Sequence, residues 1–222
     1  MHFLPDELDA YVVKHSAKEP ELLRQLTLET YQKVLQPRML SGPYQGRVLS
    51  MISKLVQPKH ILEIGTYTGY SALCLAEGMQ IGGQLHTIDF KEELADLQRR
   101  YFEKAGYTEQ PHPDQKAIIS HLGEALSIIP AIDLKFDLVF IDADKSNYLN
   151  YYRLIMDKMN PGGIILSDNV LWSGKVVETL DPKDQDTAIL LEYNRQLAQD
   201  TRLETVLLPI RDGLTISRIK TT

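Results

Sequence analysis

Short apolar runs alternate with stretches whose apolar positions recur every three or four residues along most of this 222-residue chain. The helical period comes first. Residues 21–36 read as a helix carrying Leu22, Leu23, Leu26 and Val34, stopped by Pro37. Residues 45–57 read as a second, with Val48, Leu49, Ile52, Leu55 and Val56 on one stripe. Between them, residues 38–43 read as a loop, because Gly42-Pro43 breaks either regular structure. From Lys59 onward strands and helices alternate. The strands are expected at 60–64, 84–88, 117–121, 137–141 and 164–167. Intervening helices include 92–105, with Leu94, Leu97, Tyr101 and Phe102 on one face, and 148–159, with Tyr148, Tyr152, Ile155 and Met159. Pro161-Gly162-Gly163 reads as the turn that launches the next strand.

The rhythm changes near the end. After a helix over 185–199, strands at 203–210 and 214–219 flank Arg211-Asp212-Gly213, and Asp-Gly between two β runs signals a hairpin. The pattern predicts an α/β fold. Its seven-stranded sheet is mostly parallel, closes with a C-terminal antiparallel hairpin and carries helices on both faces. No linker, repeat or low-complexity tract interrupts it. Residues 1–222 therefore read as one domain, with an N-terminal helical extension over 1–57.

Composition narrows the class. Apolar content of 43% and charged content of 24% suit a globular enzyme. A net charge of −6 opposes nonspecific association with nucleic acid or an anionic membrane, so neither is expected as a partner. Cys74 is the only cysteine, which rules out an intrachain disulfide, and its apolar neighbours predict a buried, inert thiol. Residues 1–7 lack a basic leader, and no stretch reaches the roughly 20 apolar residues of a membrane span. A cytoplasmic protein is expected.

The chemistry concentrates at the ends of the predicted strands. Ile61 to Ser71 reads as strand, glycine-spaced loop and helix, with Glu63 just before Gly65 and Gly69 four residues on. Such a loop brings backbone amides to a ligand. Its Gly-x3-Gly spacing is not the Gly-x-Gly-x2-Gly of a dinucleotide pyrophosphate site. An acid before the first glycine suits a cationic ligand, and S-adenosylmethionine, with its ammonium and sulfonium, is the candidate. The bland alternative is a tight βα turn with a solvated Glu63. Asp89 ends the second strand, placed either to accept ribose hydroxyls or to cap the helix that opens at Lys91.

Asp142 and Lys145 end the fourth strand, and Asp168-Asn169 ends the fifth. If those strands are neighbours, two carboxylates and an amide oxygen converge on one point. That is an all-oxygen set for a hard cation, with Mg²⁺ preferred and Ca²⁺ or Mn²⁺ as alternatives. The competing reading is a pair of solvated helix caps. A cation holding both oxygens of a vicinal diol would lower a hydroxyl pKa, and Lys145 would take the proton. An ordinary surface lysine is the alternative for that residue.

Three motifs in order carry a resemblance: residues 62–71 (LEIGTYTGYS), 140–145 (FIDADK) and 168–172 (DNVLW). Together they resemble the cation-dependent class I O-methyltransferases, the caffeoyl-CoA O-methyltransferase family and, more distantly, catechol O-methyltransferase. The likeness runs from about Arg38 to the C-terminus. It implies a Rossmann-like methyltransferase sheet and a cofactor site of Met39, Ser41, Glu63, Gly65, Thr66, Tyr67, Ser71, Asp89, Ala125 and Asp144. Within that site Glu63 would face the methionine end, Ser71 its carboxylate, Asp89 the ribose and Ala125 the adenine. The resemblance further implies Asp142, Asp168 and Asn169 as metal ligands, with Asp142 and Lys145 catalytic, and Trp172 and Ser173 facing substrate. The expected substrate is a catechol-like, caffeoyl or flavonoid small molecule, and the expected assembly a homodimer. Two departures stand out: the segment before Arg38 matches weakly, and Ser173 replaces an asparagine of the plant enzymes. Two other functions stay open, a metal-independent small-molecule methyltransferase and a non-catalytic S-adenosylmethionine-binding protein.

Overall fold

A computed structural model describes residues 5–221. Residues 1–4, part of the stretch in which no leader was recognised, lie outside the described residues. The extension comprises α1 (Asp6–Lys14), α2 (Glu21–Lys33) and α3 (Gly42–Val56). The alternating body follows as β1 (His60–Ile64), α4 (Tyr70–Ala76), β2 (Gln84–Asp89), α5 (Ala95–Lys104) and β3 (Ala117–Leu122). It continues through α6 (Ala125–Ala131), β4 (Phe136–Ile141), α7 (Tyr148–Met156) and β5 (Met159–Asp168). Finally α8 (Gln185–Gln199) precedes the hairpin β6 (Leu203–Leu208) and β7 (Leu214–Ile219). The seven strands form one sheet in the order β3-β2-β1-β4-β5-β7-β6, with β7 antiparallel to both β5 and β6 and the other pairs parallel.

Alternation along each strand explains the two layers. In β1, Ile61 joins Leu85, Leu138, Phe140 and Leu166 in a core completed by α2, α3 and α4. Leu62 and Ile64 point the other way, to Ile88, Val139, Ile141 and Ile165 under α6, α7 and α8. All seven residues of α4 are buried, so Cys74 is an inert core thiol, its pKa pushed up to about 12 by burial.

Three local expectations are corrected. Gly42 and Pro43 belong to α3 rather than to the preceding loop, because a proline in the first turn of a helix lacks only an N–H that had no partner there. Pro37–Met39 likewise forms a 3-10 turn that runs from the expected helix stop into the start of that loop. Pro161-Gly162-Gly163 does not precede β5 but lies within it. The strand starts at Met159, opposite Phe136, and a bulge absorbs these residues before Leu138 meets Ile164.

Candidate active site

The topology brings the strand ends together. Ile64 pairs with both Ile88 and Ile141, and Ile141 pairs with Ser167, so the residues after β1, β2, β4 and β5 emerge side by side. β1 and β4 lie where the strand order reverses, which is where open α/β sheets bind ligands. A cavity of about 850 Å³ opens there.

Of the sixteen expected residues, all but one line this cavity: Met39, Ser41, Gly65, Thr66, Tyr67, Ser71, Asp89, Ala125, Asp142, Asp144, Lys145, Asp168, Asn169, Trp172 and Ser173 do so, whereas Glu63 does not. Glu63 is fully buried behind the wall. Thr87 Oγ1 donates to its Oε2 at 2.5 Å, and its Oε1 has no hydrogen-bond partner. Burial raises its pKa to about 8, against the opposing pull of the Ser71 and Thr87 hydroxyls. An orphaned carboxylate oxygen held this way is a costly feature unless a donor arrives from a ligand.

The glycine loop is shaped by Gly65 (φ +100) and Gly69 (φ +88), with Tyr67 also at positive φ. Asp89 fastens it. Its Oδ2 accepts Tyr67 N–H at 2.6 Å and its Oδ1 accepts Lys91 N–H at 3.0 Å. Asp89 caps no helix, because the 3-10 turn Glu92–Leu94 that follows has Lys91 at its N-cap position and no side-chain cap bond. Its carboxylate instead ties the loop together, and each oxygen keeps a further lone pair toward the cavity. Asp144, exposed, accepts from Tyr151 Oη at 2.5 Å, Ser146 Oγ at 2.7 Å and Asn147 Nδ2 at 2.6 Å, which pins the turn after β4.

The acidic corner is tight. Lys145 Nζ lies 3.7 Å from Asp142 Oδ1 and donates to Asn169 Oδ1 and Ala143 O, both at 3.1 Å, and to Tyr148 Oη at 2.5 Å. The ammonium also sits 4.4 Å from the Tyr148 ring centroid and 5.8 Å from that of Trp172. Tyr148 Oη in turn donates to Asp168 O at 2.8 Å, and burial holds its pKa well above 10, so it stays a donor. Asp168 is buried. Its Oδ1 accepts Asn169 N–H at 2.8 Å and its Oδ2 accepts Gln45 Nε2 at 2.6 Å. Burial first, and then the charge of Asp142, raise the Asp168 pKa to about 7. Among the described residues no cluster of three or more His, Cys, Asp or Glu could hold a metal, so the expected set of Asp142, Asp168 and Asn169 would reach three donors only through the Asn169 amide oxygen.

Several cavity residues carry no recognisable motif, among them Arg38, Lys91, Tyr151, Arg211 and Asp212. Gln45 and Tyr148 work behind the wall. The Tyr148 helix face was visible in the sequence, but only the fold shows it touching Lys145. The hairpin turn was the available signal for Arg211 and Asp212, since it closes the same sheet end.

A family model described as O-methyltransferase matches residues 13–220, so the likeness extends well before Arg38. Caffeoyl-CoA O-methyltransferase 1 of Arabidopsis thaliana is 35% identical over 96% of this chain and 84% of its own length. A Podospora anserina methyltransferase crystallised with SAH is 29% identical, with a TM-score of 0.84 and full coverage of both chains. An O-methyltransferase of Bacillus cereus in complex with SAH is 27% identical, with a TM-score of 0.83 over 96% of this chain and 97% of its own.

Proposed function

Because the chain belongs to the O-methyltransferase family and is an S-adenosylmethionine-dependent O-methyltransferase, we propose that its acceptor is one hydroxyl of a vicinal dihydroxy-aromatic small molecule and that it works with a divalent cation. The observation that carries this reading is the corner where Lys145 Nζ stands 3.7 Å from Asp142 and 3.1 Å from Asn169, with Asp168 following Ser167 on the adjacent strand. The donors fit a hard cation. They are all oxygen, and the buried Asp168 sits in the field of Asp142, a repulsion that a divalent charge would relieve. Asp142, Asp168 and Asn169 would hold Mg²⁺, or Ca²⁺ or Mn²⁺. When bound, such a cation brings the two diol oxygens together and lowers the pKa of one hydroxyl.

The protein does the rest by positioning. S-adenosylmethionine supplies a methyl group on a sulfonium, and the loop from Gly65 to Ser71 with Met39, Ser41, Asp89, Ala125 and Asp144 forms its cradle. Lys145 would take the hydroxyl proton at Nζ as the neutral amine, which frees a lone pair by giving up one of the three hydrogen bonds that the ammonium donates. Three acceptors and the Tyr148 ring fix that atom at the cavity wall. Trp172 and Ser173 border the space for the aromatic ring. Caffeoyl-CoA relatives support a caffeoyl or catechol-type acceptor. The reading includes a homodimer in the cytoplasm. α1 buries none of its residues within the chain and exposes Leu8, Tyr11 and Val13, and no helix among the described residues is long and apolar enough to cross a membrane.

The test is methyl transfer to a panel of catechols with Mg²⁺, then EDTA, then Mg²⁺ again. Activity is expected to vanish with EDTA and return with Mg²⁺, and Asp168→Ala is expected to abolish turnover while SAH still binds. Turnover indifferent to EDTA would replace this reading with a metal-independent methyltransferase. Binding without turnover on any diol would favour a different acceptor or a non-catalytic binder.

A further inference from the structure

We propose that Gln45 is a positioning residue for Asp168, and that Arg211 on the β6–β7 turn holds Gln45 in place. The inference rests on the metal reading above. Gln45 is completely buried in the first turns of α3, 123 residues from its partner in sequence. Its Nε2 donates to Asp168 Oδ2 at 2.6 Å, and its Oε1 accepts from Arg211 Nη1 at 3.2 Å. The two ends of the amide therefore meet opposite charges. Flipping it would turn its oxygen toward a carboxylate and its NH₂ toward a guanidinium, so only one orientation is favourable.

This arrangement fixes the carboxylate plane. Asp168 Oδ1 is pinned by Asn169 N–H and Oδ2 by Gln45, each on one side only. The remaining lone pairs are left for the cavity that Asp168 lines. A neutral amide suits the task. An arginine or lysine bonded directly to Asp168 would bring a full positive charge against any cation there, whereas Arg211 keeps its charge one amide away.

The turn carrying Arg211 braces more than Gln45. Arg211 Nη1 also donates to Ser41 O at the start of α3. Asp212 Oδ1 accepts Ser173 N–H at 2.5 Å, and Asp212 O accepts Leu171 N–H at 2.9 Å. Gly213, at φ +89, lies so close that a Cβ would stand 2.9 Å from Leu171 N. One hairpin turn thus ties the start of α3 to the loop that follows Asp168, through contacts that a solvent-exposed turn would not need.

The experiment measures Mn²⁺ affinity by electron paramagnetic resonance in the presence of SAH, with SAH affinity as the check on folding. Gln45→Leu is expected to weaken Mn²⁺ binding by roughly tenfold or more at unchanged SAH affinity, in the range typical of residues that orient metal ligands. Arg211→Met should act in the same direction but less. The double variant should lose no more than Gln45→Leu alone, because Arg211 acts through Gln45. Wild-type Mn²⁺ affinity in Gln45→Leu, with binding lost in Asp168→Ala, would overturn the inference and spare the metal reading. Equal Mn²⁺ binding by wild type and Asp168→Ala would overturn both. Should Gln45→Leu lose SAH binding as well, Arg211→Met decides, and wild-type Mn²⁺ affinity in that variant overturns the inference.

Discussion

Glu63 shows how much a single residue's surroundings decide. The sequence places it before the glycine loop, where an acid facing a cationic ligand is the natural reading, yet the fold puts it behind the cavity wall with one oxygen unpartnered. With a pKa near 8, its neutral form predominates at pH 7. A cation bound nearby favours the ionised form and lowers that pKa. S-adenosylmethionine binding at pH 7 is therefore expected to release a proton, and affinity should rise with pH until about 8 and then level off. Calorimetry in buffers of different ionisation enthalpy reads the proton directly. Glu63→Gln should abolish the release and weaken binding, because the carboxylate charge that a cationic ligand draws out behind the wall is lost. No release from the wild type would place Glu63 outside the ligand's field. The strand-end acids were legible because a parallel sheet gathers its carboxyl ends, so Asp89, Asp142 and Asp168 could be placed from strand boundaries alone. Gln45 and Arg211 were not. Their bonds span 123 and 166 residues, and a polar residue on an amphipathic helix looks solvated until something is packed on it.

At the level of elements, the turn from β1 to α4 is bound to the end of β4. Gly65 N–H donates to Ile88 O at 3.0 Å and Asp142 N–H to Ile64 O at 2.9 Å. A Cβ at Gly65 would lie 2.0 Å from Asp142 O, at a φ of +100 that a side chain disfavours. Gly65→Ala must therefore push the turn away from the strand that carries Asp142. We expect a loss of several kcal/mol in urea unfolding, well beyond the about 1–2 kcal/mol of positive φ alone. Gly106→Ala is the control, since φ is +82 there and nothing lies within 4 Å. Equal losses in the two variants would show that the turn has room. The strand boundaries fell within a few residues of the sequence reading wherever a β-branched run ended at a charged or glycine residue. The start of β5 did not, because a bulge lets Pro161-Gly162-Gly163 remain within a strand. α1 was not resolved as a separate helix. It buries nothing, so its sequence carries no packing stripe to recognise.

Across the whole molecule, the pH response is a sum of opposing groups, and one pair lies away from the cavity. His86 on β2 and His121 on β3 share a sheet face, with Nδ1 and Nε2 2.9 Å apart and ring planes 15° from parallel. One imidazole must donate to the other's lone pair, so the contact survives only while one ring is neutral. Burial, and then the charges of His121 and His60, lower the His86 pKa from 6.5 to about 4, and burial lowers that of His121 as well. The unfolded chain therefore binds more protons than the folded one between pH 6.5 and about 4. The contribution of His86 is fully present above 6.5 and is lost as pH falls through that window, up to about 3 kcal/mol. Glu63 works the other way. Its raised pKa makes the folded state bind more protons between 4.5 and about 8, so its contribution is lost as pH rises. The wild-type curve alone cannot separate the two, but a variant can. Asp168, raised to about 7, adds to Glu63. As pH drops from 7 to 5 the urea midpoint of His86→Gln should therefore fall less, or rise more, than that of the wild type, because the histidine no longer draws protons into the unfolded state. The same pH response in the variant and the wild type would mean that His86 titrates in the folded protein as it does in water.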